Sequence, residues 1–289
     1  MAQELVTSFR DRLSNGPPWR ALRRSTHALV YLVFPPRCTC CRAELANIKP
    51  AHQEPSGAST QALICTACRE QLIGSKTPRC VHCGEPTAGQ PTAAASVAEP
   101  TATELGLAAA CAACHGVRLR FDTVLTLGDY RGQLRQVVLR MKRIGQESLS
   151  LAMGHLLFAE RETQLAGLRA DVLVPLPMHW SRRLLRGVNS PELVAAALSR
   201  RLRVPVAKRA LVRRRNTRQQ GSLLRGQRFA NIRGAFKLGA GYDLAGASVL
   251  LVDDVMTTGA TCSEAAATLW RCGAARVAVA VVARAASGV

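Results

Sequence analysis

From about residue 119 onward, short apolar runs alternate with segments of helical spacing. The apolar runs predict strands at 121–127, 171–175, 249–252 and 276–283. Apolar residues three and four positions apart predict helices at 132–142, 150–169, 191–203 and 262–272, the last of them capped by Gly273. Strands that alternate with helices are typical of a parallel sheet flanked by helices, so the predicted fold class is α/β.

The run 249–252 stands out because two acids follow it. Its apolar residues predict a strand buried on both faces. Asp253 and Asp254 then lie at its carboxyl end, the edge where open α/β sheets bind ligands. The next residues bring backbone N–H groups and hydroxyls to the start of a helix, which favours an anion. Acids beside an anion site suit ribose 5-phosphate; the alternative is a chance Asp-Asp pair before an N-capped helix. This turn consists of Thr257, Thr258, Gly259, Ala260 and Thr261.

Residues 249–261 resemble the phosphoribosyl pyrophosphate (PRPP) signature of the type I phosphoribosyltransferase family. The resemblance implies that Asp253 and Asp254 hold the ribose hydroxyls and that the backbone of residues 257–261 holds the 5-phosphate. It also implies that Mg²⁺ accompanies PRPP. If the site is catalytic, a nitrogen nucleophile displaces diphosphate from the ribose C1 carbon.

Eight of the eleven cysteines form four Cys-x-x-Cys pairs ahead of this segment. Two thiolates three residues apart supply two corners of a tetrahedron, so two pairs close one structural zinc site. Pairing them in sequence order keeps both loops short and is favoured over an interleaved arrangement. The predicted ligands are Cys38, Cys41, Cys65 and Cys68 in the first site, and Cys80, Cys83, Cys111 and Cys114 in the second.

Other interpretations of the cysteine pairs are a disulfide framework, a redox motif or an iron–sulfur cluster. A register that uses Cys40 is also compatible with the spacing. Gly84 helps the chain turn after the third pair, and Arg42 takes the equivalent position after the first. We expect that the zinc ligands do not include His82, His115, Cys262 and Cys272.

The formal net charge of +20 is concentrated in one block. Residues 178–237 contain sixteen Lys or Arg and a single acid, Glu192. Such a block attracts a polyanion, either PRPP or nucleic acid. Few aromatic residues occur here for a base-binding hood, which favours contacts with sugar-phosphate backbones. The predicted nucleic-acid contacts are Arg213, Arg214, Arg215, Arg218 and Arg228, while Phe229 is expected in the core rather than stacked on a base.

Two further segments widen the resemblance. Val174-Pro175-Leu176-Pro177 precedes an Arg-rich loop, and a polar segment follows downstream. With the cysteine pairs, they make the chain similar to the ComF family from residue 34 onward. This resemblance implies a role in DNA uptake during natural transformation, with single-stranded DNA and other DNA-uptake proteins as partners. The implied diphosphate loop contains Pro175, Arg182, Arg183, Arg186 and Gly187, and further matching positions are Lys142, Thr217, Gln220 and Asn231.

Three domains are predicted: a helical segment at 1–33, a double zinc ribbon at 34–118 with an Ala-rich insertion at 84–110, and a phosphoribosyltransferase-like domain at 119–289. No apolar run is long enough for a membrane span and no signal peptide is evident, so we expect a cytoplasmic protein. A DNA-uptake factor with a PRPP site is the favoured function. An active phosphoribosyltransferase of nucleotide salvage and a non-catalytic PRPP-sensing regulator are the alternatives.

Overall fold

The computed structural model describes residues 35–45, 64–73, 77–87, 111–178, 188–215, 217 and 225–286. The predicted helical segment at 1–33 and residues 88–110 of the predicted insertion lie outside these residues. So do six of the predicted site residues: Arg182, Arg183, Arg186, Gly187, Arg218 and Gln220. The elements in chain order are α1 (Thr66–Ile73), β1 (Thr123–Asp129), α2 (Gly132–Met141), α3 (Glu147–Gly167), β2 (Val172–Pro175), α4 (Ser190–Leu202), β3 (Leu211–Arg213), α5 (Arg225–Ile232), β4 (Phe236–Leu238), β5 (Ser248–Met256), α6 (Ala260–Arg271) and β6 (Arg276–Arg284).

Four parallel strands form the central sheet in the order β1-β6-β5-β2. Successive residues of its inner strands point to opposite faces, as the period of a strand requires. On β5, Leu250 and Val252 pack with α2, α3 and α4, whereas Val249 and Leu251 pack with α6. Because both faces are covered, the strand sequences are continuously apolar. The predicted α/β fold class is confirmed.

A second, antiparallel sheet joins β3 to β4 and was not predicted from the sequence. Each strand has three residues, and α5 lies between them along the chain. The Arg213 guanidinium lies 5.7 Å from the centre of the Phe236 ring and also donates a hydrogen bond to the buried Thr217 hydroxyl. Phe229 is partly buried against the same core, in agreement with its expected core position.

Several predicted elements differ from the observed ones at their ends. The strand predicted at 249–252 continues through Met256 because β6 keeps pairing with it as far as Arg284. The helix predicted at 150–169 begins one turn earlier, at Glu147, and ends at Gly167. The predicted cap residue Gly273 has a φ of 93°, a left-handed conformation that suits glycine at a helix end.

No helix in the described part of the chain combines the length and apolar character of a membrane span.

Candidate functional site

Asp253 and Asp254 lie on the part of β5 that no longer pairs with β2. β2 pairs with β5 up to Val252, whose carbonyl accepts a 2.8 Å hydrogen bond from the Leu176 N–H. Beyond this point, within the described residues, strand pairing continues with β6 alone. Asp253 and Asp254 therefore lie inside the observed strand but past the carboxyl end of β2. This open edge is the place where α/β sheets bind ligands.

Lys142 meets the acids from the other side of this edge. It follows α2 directly, and its Nζ lies 3.3 Å from Oδ2 of Asp254. Burial lowers the pKa of Lys142, but the charges of Asp254 and Asp253 outweigh burial and raise the pKa above its ordinary value. The lysine is therefore a permanent cation beside the carboxylates. The structure thus brings together three residues that the sequence had placed in the site.

Asp253 is partly buried beside Asp254. Burial and the charge of Asp254 raise the pKa of the Asp253 carboxyl to about 8. The Asp254 N–H donates a 2.8 Å hydrogen bond to Oδ1 of Asp253, and the thiol of Cys262 lies 4.0 Å from its Oδ2. The N–H donor and the charge of Lys142 reduce this rise without cancelling it. Without a ligand, the Asp253 carboxyl therefore keeps its proton to a much higher pH than an ordinary carboxyl does.

Asp253→Asn is expected to stabilise the unliganded protein above pH 8. The folded-state pKa of about 8 exceeds the ordinary value of 3.8, so the folded state holds this proton more tightly. The stability that the proton contributes is complete below the ordinary pKa and is lost as pH rises through about 8. Asn keeps the shape without the charge, and each kcal/mol gained raises Tm by about 2–4 °C. Thermal unfolding from pH 5 to 9 checks the result; a Tm difference between variant and wild type that does not change with pH would contradict it.

The turn after β5 leads directly into α6, as the sequence predicted. Gly259 has a φ of 79°, and a Cβ there would lie 3.0 Å from Cδ2 of Leu119, so both conformation and space require glycine. The Thr258 hydroxyl accepts a 3.4 Å hydrogen bond from the Ala260 N–H. Gly259, the N-cap residue of α6, has no side chain and makes no side-chain cap hydrogen bond itself. The start of a helix carries partial positive charge, which favours a phosphate.

The eight paired cysteines form two groups, each with its ligand atoms within 4.8 Å of one another. The first tetrad consists of Cys38, Cys41, Cys65 and Cys68, and the second tetrad of Cys80, Cys83, Cys111 and Cys114. This confirms the pairing in sequence order.

The sulfur separations show which chemistry the tetrads fit. Sulfur atoms are 3.7 Å apart between Cys41 and Cys65, and 3.4 Å apart between Cys83 and Cys111. Four sulfurs at about 2.3 Å from one zinc lie about 3.8 Å from each other, whereas a disulfide needs about 2.05 Å. Each tetrad therefore fits a zinc ion. The chain turns after the first and third cysteine pairs, as predicted: Arg42 has a φ of 65° and Gly84 a φ of 71°.

Comparison with known proteins agrees with the position of the acids and the turn. The family described as "Phosphoribosyl transferase domain" matches residues 192–289, which contain the acids and the turn. Competence protein F of Haemophilus influenzae is 28% identical over 256 residues, 86% of this chain and 97% of that protein. DNA utilization protein YhgH of Escherichia coli strain K12 is 30% identical over 219 residues, 75% of this chain and 94% of that protein. This chain belongs to the ComF family.

In this ComF chain the first tetrad rests on the helix that leads to Lys142. Nε2 of Gln133 lies 3.5 Å from the sulfur of Cys40 and 3.6 Å from that of Cys68. Nη1 of Arg140 donates a 2.6 Å hydrogen bond to the Cys40 carbonyl. Cys40 therefore packs beside the tetrad, and the sulfur that completes the group belongs to Cys41. Sequence reasoning missed Gln133 and Arg140, which contact the turn of the Cys38/Cys41 pair from α2; we call the turn of such a Cys-x-x-Cys pair a knuckle.

The ComF basic residues divide into inward and outward groups. Arg213 is half-buried against Phe236, as described above. Nη2 of Arg215 donates a 3.1 Å hydrogen bond to the Asn231 carbonyl, and both Arg214 and Arg215 are exposed. Arg228 is half-buried. The exposed arginines lie at the end of β3, and their roles remain predictions.

Proposed function

We propose that this ComF-family protein acts in DNA uptake, with a PRPP pocket at the open edge of its sheet and a basic surface for single-stranded DNA. The observation that carries the pocket is the meeting of Lys142, Asp254 and Asp253 beside the turn that starts α6. The names of the relatives, which refer to competence and to DNA utilization, support the uptake role.

The pocket offers one group for each part of a ribose phosphate. Carboxylates accept hydrogen bonds from the ribose hydroxyls, which is the role proposed for Asp253 and Asp254. Backbone N–H groups of residues 257–261 donate to the 5-phosphate. Lys142 offsets the charge of the acids through its contact with Asp254. Carboxylate and phosphate oxygens are also the ligands that Mg²⁺ prefers.

The diphosphate loop begins at the same edge. Pro175 ends β2 and pairs with Val252, the residue before the acids. The chain that follows Pro175 therefore leaves the sheet beside the pocket. Arginine side chains on this stretch suit the bidentate binding of diphosphate oxygens. The proposed loop contains Arg182, Arg183, Arg186 and Gly187, and its three arginines are proposed to bind diphosphate.

The proposed DNA surface consists of exposed cations near the β3–β4 sheet. Arg214, Arg215, Arg233 and Lys237 are all exposed. Phosphate contacts by such side chains give affinity without reading the base sequence. This agrees with the shortage of exposed aromatic side chains in residues 203–237 that are described, where Phe236 is buried and Phe229 partly buried.

Replacing Arg214 and Arg215 by Ala is expected to weaken binding to a single-stranded oligonucleotide and to flatten its salt dependence. Each phosphate contact adds about 0.7 to the slope of log K against log salt, so the slope should fall by about 1.4. Fluorescence anisotropy titrations at several salt concentrations measure it. The control is Arg271→Ala with Arg276→Ala, since these arginines are also exposed but lie outside the surface. An equal loss in both double variants, or an unchanged slope, would refute the assigned surface.

A further inference from the structure

Arg284 ends β6 as a buried cation in contact with the second tetrad. Its side chain is 3% exposed, and its Nε donates a 2.7 Å hydrogen bond to the Cys83 carbonyl. Its Nη2 lies 3.1 Å from Oε2 of Glu85. A Cβ on Gly84 would lie 3.7 Å from both Cγ and Cδ of Arg284. Cys83 and Glu85, at the turn of the Cys80/Cys83 pair, thus hold one guanidinium, and Gly84 between them leaves room for its aliphatic stem.

The same guanidinium reaches the proposed phosphate turn. Its Nη1 donates to the carbonyls of Met256 and Thr257, at 3.4 and 2.5 Å, and also to the Ala285 carbonyl. In a planar trans peptide the N–H points away from the carbonyl, and the described residues contain no cis peptide. Holding the Thr257 carbonyl therefore directs the Thr258 N–H away from Arg284. The Met256 carbonyl also accepts a 2.9 Å hydrogen bond from the Ala285 N–H, so strand pairing and Arg284 together orient the Thr257 N–H.

The knuckle keeps the partner of Arg284 in place. A buried guanidinium needs a counter-charge, which Glu85 supplies. The Glu85 carbonyl accepts a 2.9 Å hydrogen bond from the Cys80 N–H, and the Cys80 carbonyl accepts one of 2.8 Å from the Gly84 N–H. The position of Glu85 thus depends on the closed turn between two tetrad cysteines. Metal bound to the tetrad stabilises that turn.

We infer that Arg284 is a positioning residue that couples the second tetrad to the phosphate turn. It touches no ligand; it orients the first amides of the turn and is itself held by the knuckle. Closure of the second tetrad therefore raises the affinity of the pocket for a 5-phosphate. This inference rests on the proposed PRPP pocket.

The test compares Arg284→Met and Arg284→Lys in the full chain with wild type. Ribose 5-phosphate probes the turn, and diphosphate with Mg²⁺ probes the loop after β2, so calorimetric titration with each ligand separates the two subsites. We expect Arg284→Met to bind ribose 5-phosphate at least tenfold more weakly, with diphosphate affinity and zinc content unchanged. Arg284→Lys should recover part of the loss. Arg276→Met is the control, because Arg276 lies exposed at the opposite end of β6.

Two results would overturn the inference: unchanged affinity for ribose 5-phosphate in Arg284→Met, or an equal loss of both ligands, which indicates general damage. Cys111→Ser tests the coupling itself. The double variant Cys111→Ser with Arg284→Met should bind ribose 5-phosphate no more weakly than Arg284→Met alone. Additive losses of affinity would show two independent effects.

A measurement without ligand separates this inference from the proposed function. Backbone order parameters of residues 257–259 should fall in Arg284→Met and stay at wild-type values in Arg276→Met. If wild type binds no ribose phosphate, the proposed pocket fails while the order parameters still decide the role of Arg284. Unchanged order parameters would refute the positioning role.

Discussion

Replacing Asp253 and Asp254 together by Asn will lower the affinity for PRPP with Mg²⁺ by at least about 100-fold. A hydrogen bond to a charged group contributes about 1.5–3 kcal/mol, so losing one at each carboxylate removes about 3–6 kcal/mol. The charge that attracts Mg²⁺ is lost as well. Lys142 also loses its 3.3 Å partner and becomes an uncompensated cation at the edge of the sheet. Calorimetric titration measures the change.

The titration belongs at pH 8.5 or above, because Asp253 has a pKa of about 8 and must release its proton to act as a carboxylate. Asp171→Asn is the matched control. Asp171 is exposed next to β2 at the opposite end of the sheet, where its Oδ2 accepts a 2.8 Å hydrogen bond from the Ser248 N–H. If the double variant binds PRPP as tightly as the Asp171 variant, the ribose assignment is wrong.

The second large effect concerns the tetrads. Wild-type protein should contain two zinc equivalents, and Cys68→Ser or Cys83→Ser should each retain one. Structural zinc contributes about 10–16 kcal/mol to the folding of small zinc-finger peptides, so either substitution should unfold its own knuckle. Both cysteines also belong to the apolar core, with side chains 4% and 2% exposed in the folded chain. Thermal stability should therefore fall steeply as well.

Elemental analysis combined with thermal unfolding checks this prediction. Cys40→Ser and Cys272→Ser are the controls, because neither sulfur belongs to a tetrad. Both controls should keep two equivalents. The Cys40 variant is the more stringent control, because Cys40 is buried beside the first tetrad and its sulfur lies close to Gln133. Loss of a zinc equivalent in that variant, or a single equivalent in wild type, would contradict the assigned ligands.

The parts of the fold that follow from local pattern were predictable from the sequence. The segments 249–252 of β5 and 277–283 of β6 are buried on both faces, so each appears as an uninterrupted apolar run. The pairing of the cysteines in sequence order was predictable because closing short loops costs less entropy than closing long ones. Gly84 and Gly259 follow from conformation, because each has a positive φ that few other residues tolerate.

Other features depend on contacts between distant segments, which no local pattern reports. β3 and β4 have three residues each and include Arg213 and Lys237, so neither shows a strand-like apolar run. The link from Arg284 to Glu85 joins the last strand to a knuckle far earlier in the chain. β6 has an arginine at each end, and the sequence does not show that Arg284 is buried and needs a partner whereas Arg276 is exposed.

The place of β6 in the sheet has a consequence for biosynthesis. It is the last strand of the chain, yet it lies between β1 and β5 and pairs with both. While the ribosome is still making residues 276–284, β1 has no neighbouring strand in the described sheet. Contacts between such distant segments form slowly, so the sheet closes only after most of the chain has emerged. A nascent chain that stops short of β6 carries an open, apolar sheet edge, which is the kind of surface that chaperones bind.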